Sequence, residues 1–304
     1  MAAEVVRFTY TGADDERIPD EATHILVQAR VIRANAFYEH PNIVEVICHE
    51  DMEKIEELAF CYCRYLRRVI MPGVKIVEQD AFHHCDRLED VECGKLEIIG
   101  SGAFYLCMAL RSMNLPSARI VEEMALWECI ALTNVKFGSR LERFGEAAFN
   151  DCESLERITI PLKDGLITAD NTFRGCHNLR QVDLVEGEIH ETISSLQLEE
   201  WRNDMNAKID SINQVLPNAP AGAWDQVDYD GGDPGEKARE IRRWIRSVLR
   251  KIGRYQVEHR RLLEGDVATT LQLVLSNADV MMNNVLPFLE LPSYTFEVGD
   301  DDEE

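Results

Sequence analysis

Ala81-Phe82-His83-His84-Cys85-Asp86-Arg87-Leu88-Glu89-Asp90-Val91-Glu92-Cys93-Gly94 is one turn of a repeating pattern, and the repetition decides the fold. The equivalents of Phe82 are Phe37, Phe60, Phe104, Leu126, Phe149 and Phe173, with steps of 23, 22, 22, 22, 23 and 24 residues between successive anchors. A period in this range marks a solenoid, in which each coil buries its apolar face only against its neighbours.

Each position around the anchor keeps its character. The residue before it is Ala36, Ala59, Ala81, Ala103, Ala125, Ala148 or Thr172. Three residues after it stand His40, Cys63, Cys85, Cys107, Cys129, Cys152 and Cys176. Six after stand Ile43, Leu66, Leu88, Leu110, Leu132, Leu155 and Leu179, and nine after stand Val46, Val69, Val91, Met113, Val135, Ile158 and Val182. One coil therefore reads A-F-x-x-C-x-x-L-x-x-V-x-L, often closed by Pro or Gly (Pro72, Gly94, Pro116, Gly138, Pro161).

The alternating end of this pattern predicts a short strand with one buried face. The Pro or Gly after it ends the strand. The A-F-x-x-C part suits a tight helical or 3₁₀ turn on the opposite side. Stacked coils then form an α/β solenoid, with a parallel β-sheet on its concave side and short helical turns on its convex side. This pattern resembles the BspA-like class of leucine-rich repeats over roughly residues 24–187, with Leu126 and His40 as minor departures. The segment containing Ile18, Pro19, His24, Ile25, Val27 and Val31 reads as a degenerate capping coil. The repeat domain is expected over 1–187.

Nine cysteines raise the question of a metal or disulfide. Six share one repeat position, so they stack as small apolar residues. Equivalent strand positions lie about 4.8 Å apart with parallel side-chain vectors. A disulfide wants converging Cβ atoms about 3.8 Å apart, and a metal wants ligands converging on one point. Cys61-x-Cys63 and His83-His84-Cys85 are read as alternating into and out of the coil. The expectation is buried, unpaired thiols and no metal, which suits a reducing compartment.

The chain has 304 residues, of which 45% are hydrophobic and 29% charged, so it reads as globular. Met1-Ala2-Ala3-Glu4-Val5-Val6-Arg7 lacks a basic start followed by an apolar run, and no stretch reaches the length of a membrane span. A cytoplasmic location without membrane contact is the expectation. The formal charge of −23 opposes general binding to nucleic acid or anionic lipid.

After Gly187 the period becomes helical. Ile193, Leu198, Trp201, Met205, Ile209, Ile212 and Leu216 predict a connecting helix within 188–216, ended by Pro217 and Pro220. Residues 217–235 read as an acidic Gly/Pro linker. Its carboxylates do not have EF-hand spacing. Ala238, Ile241, Ile245, Val248, Ile252, Tyr255, His259 and Leu262 form one heptad seam, and Val267, Leu271, Val274, Ala278, Met281, Val285 and Phe288 form another. With Gly265 and Asp266 between them, these predict an antiparallel helical hairpin over 236–290. Residues 291–304 read as an acidic disordered tail. Arg239, Arg242, Arg243, Arg246 and Arg250 lie off the first seam. They form a solvated face, a site for an acidic partner or for this chain's own acidic surface, or a nucleic-acid contact. The stretches from Glu188 to Arg202 and from Glu240 to Arg260 look like the C-terminal region of algal BspA-like repeat proteins.

No P-loop, nucleophile elbow, dinucleotide fingerprint, H-E-x-x-H or kinase signature is present in the sequence. The reading expects no enzyme and no cofactor. It expects a protein-interaction module or scaffold working through its concave face. The outward positions there are Glu45, Ile47, Arg68, Ile70, Asp90, Glu92, Asn114, Asn134, Lys136 and Arg157. Ile47 and Ile70 beside Arg67 and Arg68 resemble an interface core, which favours the first coils. The alternatives are a homodimeric scaffold joined through the C-terminal helices, and a nucleic-acid contact through the arginine-rich helix.

Overall fold

The structure is a computed structural model and describes residues 5–14, 16–185, 199–212 and 236–264. The repeat forms a parallel β-solenoid in the register read from the sequence. The L-x-x-V-x-L parts make the main sheet. Its first section runs Arg7–Tyr10, His24–Val27, Glu45–Cys48, Arg68–Ile70 and Asp90–Glu92, and its second runs Ser112–Leu115, Asn134–Phe137, Arg157–Ile160 and Gln181–Leu184. All pairs are parallel and in step: Val46 faces Val69, and Val69 faces Val91. Arg7–Tyr10, which the repeat pattern did not reveal, adds an edge strand before the expected capping coil.

A second parallel sheet, of two-residue strands, runs along the stack. It comprises Val31–Ile32, Lys54–Ile55, Ile76–Val77, Ile98–Ile99, Ile120–Val121 and Arg143–Phe144. Its inward residues Ile55, Val77, Ile99, Val121 and Phe144 are fully buried. All five stand five residues before an anchor, so their recurrence is in the sequence. Two residues are too few to show strand alternation, and this sheet was not among the expected elements.

The A-F-x-x-C turns are mostly not regular helix. One coil has a 3₁₀ turn, Asp170–Phe173. In the others the backbone alternates in handedness. The residues two before and two after the anchor take the left-handed conformation: Leu58 and Tyr62 have φ of 57° and 61°, and Asp80 and His84 have 51° and 56°. Gly102 fills this place at φ 60°, where glycine carries no Cβ penalty. The alternation aims every second N–H at the next coil. Leu58, Phe60 and Tyr62 donate to the carbonyls of Gln79, Ala81 and His83 at 3.0, 2.7 and 2.8 Å. Stacking of the turns thus satisfies backbone groups that would otherwise be buried without partners. It also corrects the expectation for Cys61, which is 1% exposed. Alternating handedness does not place successive side chains on opposite faces.

Inside, the anchors stack ring on ring. Phe37 and Phe60 lie 4.7 Å apart, Phe60 and Phe82 5.1 Å, and Phe82 and Phe104 5.2 Å, all within 6° of parallel. Tyr10 closes the N-terminal end of this column, 5.2 Å from Phe37.

Two helices follow the solenoid: α1, Glu199–Ile212, and α2, Glu236–Glu264. α2 falls within the span expected for the first hairpin helix, and its seam packs on the end of the solenoid, a docking the sequence left open. Ala238, Ile241 and Ile245 join the solenoid core, and Val248 and Ile252 pack with Leu184 and with Met205 of α1. The second hairpin helix, the linker 217–235 and the tail 291–304 lie outside the described residues.

Candidate functional site

The cysteines are more than packing. Each repeat cysteine donates its thiol to the anchor carbonyl of the preceding coil. Cys63 Sγ reaches Phe37 O at 3.0 Å, Cys85 reaches Phe60 at 3.2 Å, Cys107 reaches Phe82 at 3.2 Å, and Cys129 reaches Phe104 at 3.2 Å. Cys152 and Cys176 continue the series on Leu126 and Phe149 at 3.1 and 3.0 Å. His40, the departure from the pattern, does the same job. Its Nε2 lies 3.0 Å from the carbonyl of Pro19 in the capping segment, which requires Nε2–H. Burial lowers its pKa, keeping the ring neutral. Burial pushes the thiols of Cys48, Cys63 and Cys93 up to about 12. A buried thiol that stays protonated near neutral pH is a poor nucleophile. Among the described residues no group of three or more His, Cys, Asp or Glu could hold a metal ion.

The solenoid places the expected surface residues in two rows across the main sheet. One row is His24, Glu45, Arg68, Asp90, and the other is Leu26, Ile47, Ile70, Glu92. Leu26 and Ile47 are 45% and 38% exposed, while Ile70 is half-buried. Leu26 was missed because its strand precedes the first complete coil. The three apolar residues face one another directly across adjacent strands, so they form one continuous strip. Arg68 is engaged beside it by Glu45 at 3.7 Å, Asp90 at 3.2 Å and Glu92. This arginine organises the carboxylates and does not project alone.

In the later coils Asn114, Asn134 and Lys136 are exposed, and Arg157 pairs with Asp183. The arginines of α2 fall into two groups. Arg242 and Arg239 pair with Asp170, and Arg246 pairs with Asp164 at 3.3 Å. Arg243 and Arg250 are exposed. Lys237 donates to the carbonyls of His177 and Leu179 at the last coil. Much of the basic face therefore meets this chain's own acidic end.

A family model for the BspA type leucine rich repeat region matches six copies, over residues 30–120 and 97–213. The chain belongs to this family. Its BspA-type coils are those of repeat proteins that generally act in protein interaction. Solved structures of similar proteins include a leucine-rich repeat protein from Bacteroides ovatus, at 22% identity and a TM-score of 0.44, covering 60% of this chain and 43% of that one. They also include a T. pallidum leucine-rich repeat protein, at 20% identity and a TM-score of 0.38, covering 64% of this chain and 85% of that one. The pneumococcal vaccine antigen PcpA is similar at 16% identity and a TM-score of 0.33, over 62% of this chain and 38% of that one. This BspA-type chain thus spans less than half the length of the first and third of these. No curated protein matches it. No helix among the described residues is long and apolar enough to cross a membrane.

Proposed function

We propose that the chain is a non-enzymatic protein-interaction module whose partner docks on the main-sheet face of the first coils. The observation that supports this is the apolar strip Leu26–Ile47–Ile70, held in register on a rigid sheet and rimmed by the Arg68 carboxylate cluster. An apolar centre with a polar rim has the anatomy of an interface. Its rigidity matters, because little conformational entropy is lost on docking. The α2 seam from Ala238 to Ile252 is covered within one chain, so among the described residues no observation favours a helical bundle between two copies. As part of this proposal the chain works in the cytoplasm, where nine buried thiols remain reduced.

The test is affinity capture from native lysate with the intact chain and with Leu26→Ser/Ile47→Ser. Both substitutions are at exposed positions and leave the core intact. A partner retained by the first and lost by the second is the expected result. Equal capture by both, at equal thermal stability, would sink the assignment to this face.

A further inference from the structure

We propose that the anchor-turn side of the solenoid is a second interaction surface, built for an arginine-rich polypeptide segment of another protein. The turns of successive coils carry an outer aromatic column that the inner phenylalanine column does not require. Tyr62 stacks on His84 at 4.6 Å, His83 on Tyr105 at 4.7 Å, and Tyr105 on Trp127 at 5.3 Å. On the coils that carry Tyr105 and Trp127, Met108, Met124 and Ile130 are 36%, 37% and 40% exposed. The repeat does not demand the rings of His83, Tyr105 and Trp127, since the same turn position holds Asn150 and Arg174 in the last coils. Coil-to-coil cohesion is already supplied inside.

Charge selects the occupant. The column is flanked by carboxylates: Trp127 Nε1 donates to Asp151 at 3.2 Å, and the pKa of Tyr105 is raised first by burial and then by the charges of Glu128 and Asp151. Three residues before their anchors stand Glu57, Glu123 and Glu146, all exposed. The same place in the last coil is Asp170, and there the arginines of this chain's own α2 are bound. Tyr62 in the column, and Tyr65 outside it, already accept guanidinium groups from within the chain. Arg64 lies over Tyr62 at 5.5 Å, and Arg87 over Tyr65 at 4.8 Å. Aromatic faces, apolar side chains and flanking carboxylates together suit arginine, which stacks by its plane and pairs by its edge.

The experiment must separate this surface from the general attraction of a chain of charge −23 for any polycation. The probe is a 20-residue alanine peptide with arginine at every fourth position, titrated calorimetrically into the full chain. Trp127→Ala and the doubly exposed Met108→Ser/Ile130→Ser leave net charge unchanged. Each is expected to weaken binding about tenfold, while Leu26→Ser/Ile47→Ser on the other face has no effect. The Met108/Ile130 pair keeps the test sound if Trp127→Ala disturbs the fold. Equal affinity for all variants would assign the binding to bulk charge and overturn the proposal. Tighter binding of a neutral maltohexaose than of the peptide would overturn it too, by making the column a sugar platform.

Discussion

Cys107 Sγ donates to the carbonyl oxygen of Phe82 at 3.2 Å, joining one coil to the one before it. The same carbonyl accepts the N–H of Cys85 at 3.2 Å. The anchor carbonyl is thus shared between its own coil and the next. A position that looks like a filler in sequence is a rivet between coils.

Replacing Cys107 with alanine leaves a gap and removes one buried bond. The expected cost is about 1–2 kcal/mol in urea unfolding. Cys107→Val fills the space without a donor. If the valine variant equals the wild type, the thiol bond contributes nothing and packing alone explains the residue.

The thiols should resist reaction until the chain unfolds. All nine cysteines are buried, and those of Cys48, Cys61, Cys63 and Cys93 are pushed up to about 12. Treatment of native protein with a thiol-specific disulfide reagent at pH 8 should label almost none of them, and treatment in denaturant should label all. Rapid labelling of one native cysteine would disprove its burial.

Phe82 sits between two parallel rings. Truncation to alanine should cost about 3–5 kcal/mol, as other large core truncations do. Phe82→Leu should cost much less, since Leu126 already fills the equivalent place with no exposure. Chemical denaturation of both variants checks the ranking.

His40 makes stability depend on pH. Burial lowers its folded pKa below the ordinary value of 6.5. The unfolded chain therefore binds a proton first as pH falls, so this contribution is complete above 6.5 and is lost as pH drops below it towards the folded pKa. His83, lowered chiefly by burial, acts in the same direction. Melting temperature should fall between pH 7 and pH 5, and His40→Cys, which restores the repeat residue, should flatten that slope. An unchanged slope would remove His40 from the account.

At the C-terminal end, burial outweighs charge. Ile241→Ala uncovers the solenoid core and should raise hydrogen exchange at Val182 and Leu184 by tens of fold. Arg242→Ala removes an exposed, solvent-screened ion pair to Asp170 and should raise it only a few fold. The reverse ranking would make α2 an electrostatic clasp.

Much of the architecture is decided locally, and that is why it is legible. A solenoid coil meets only copies of itself, so every buried position must recur at the coil period. The anchors, cysteines and main-sheet strands followed from that rule. The second sheet obeys it too, at Ile55, Val77, Ile99 and Val121, but with strands too short to alternate.

The chain's linear order determined the coil, its register and the amphipathic face of α2, because each depends on spacing within one element or its repeat. Tertiary structure decided what that face covers, since an apolar helical stripe is equally served by a partner helix or an open solenoid end. It also aligned Leu26 with Ile47 and Ile70, and stacked His83, Tyr105 and Trp127. Those residues are about one coil apart in sequence, and only the stacking of parallel coils brings them within a few ångströms.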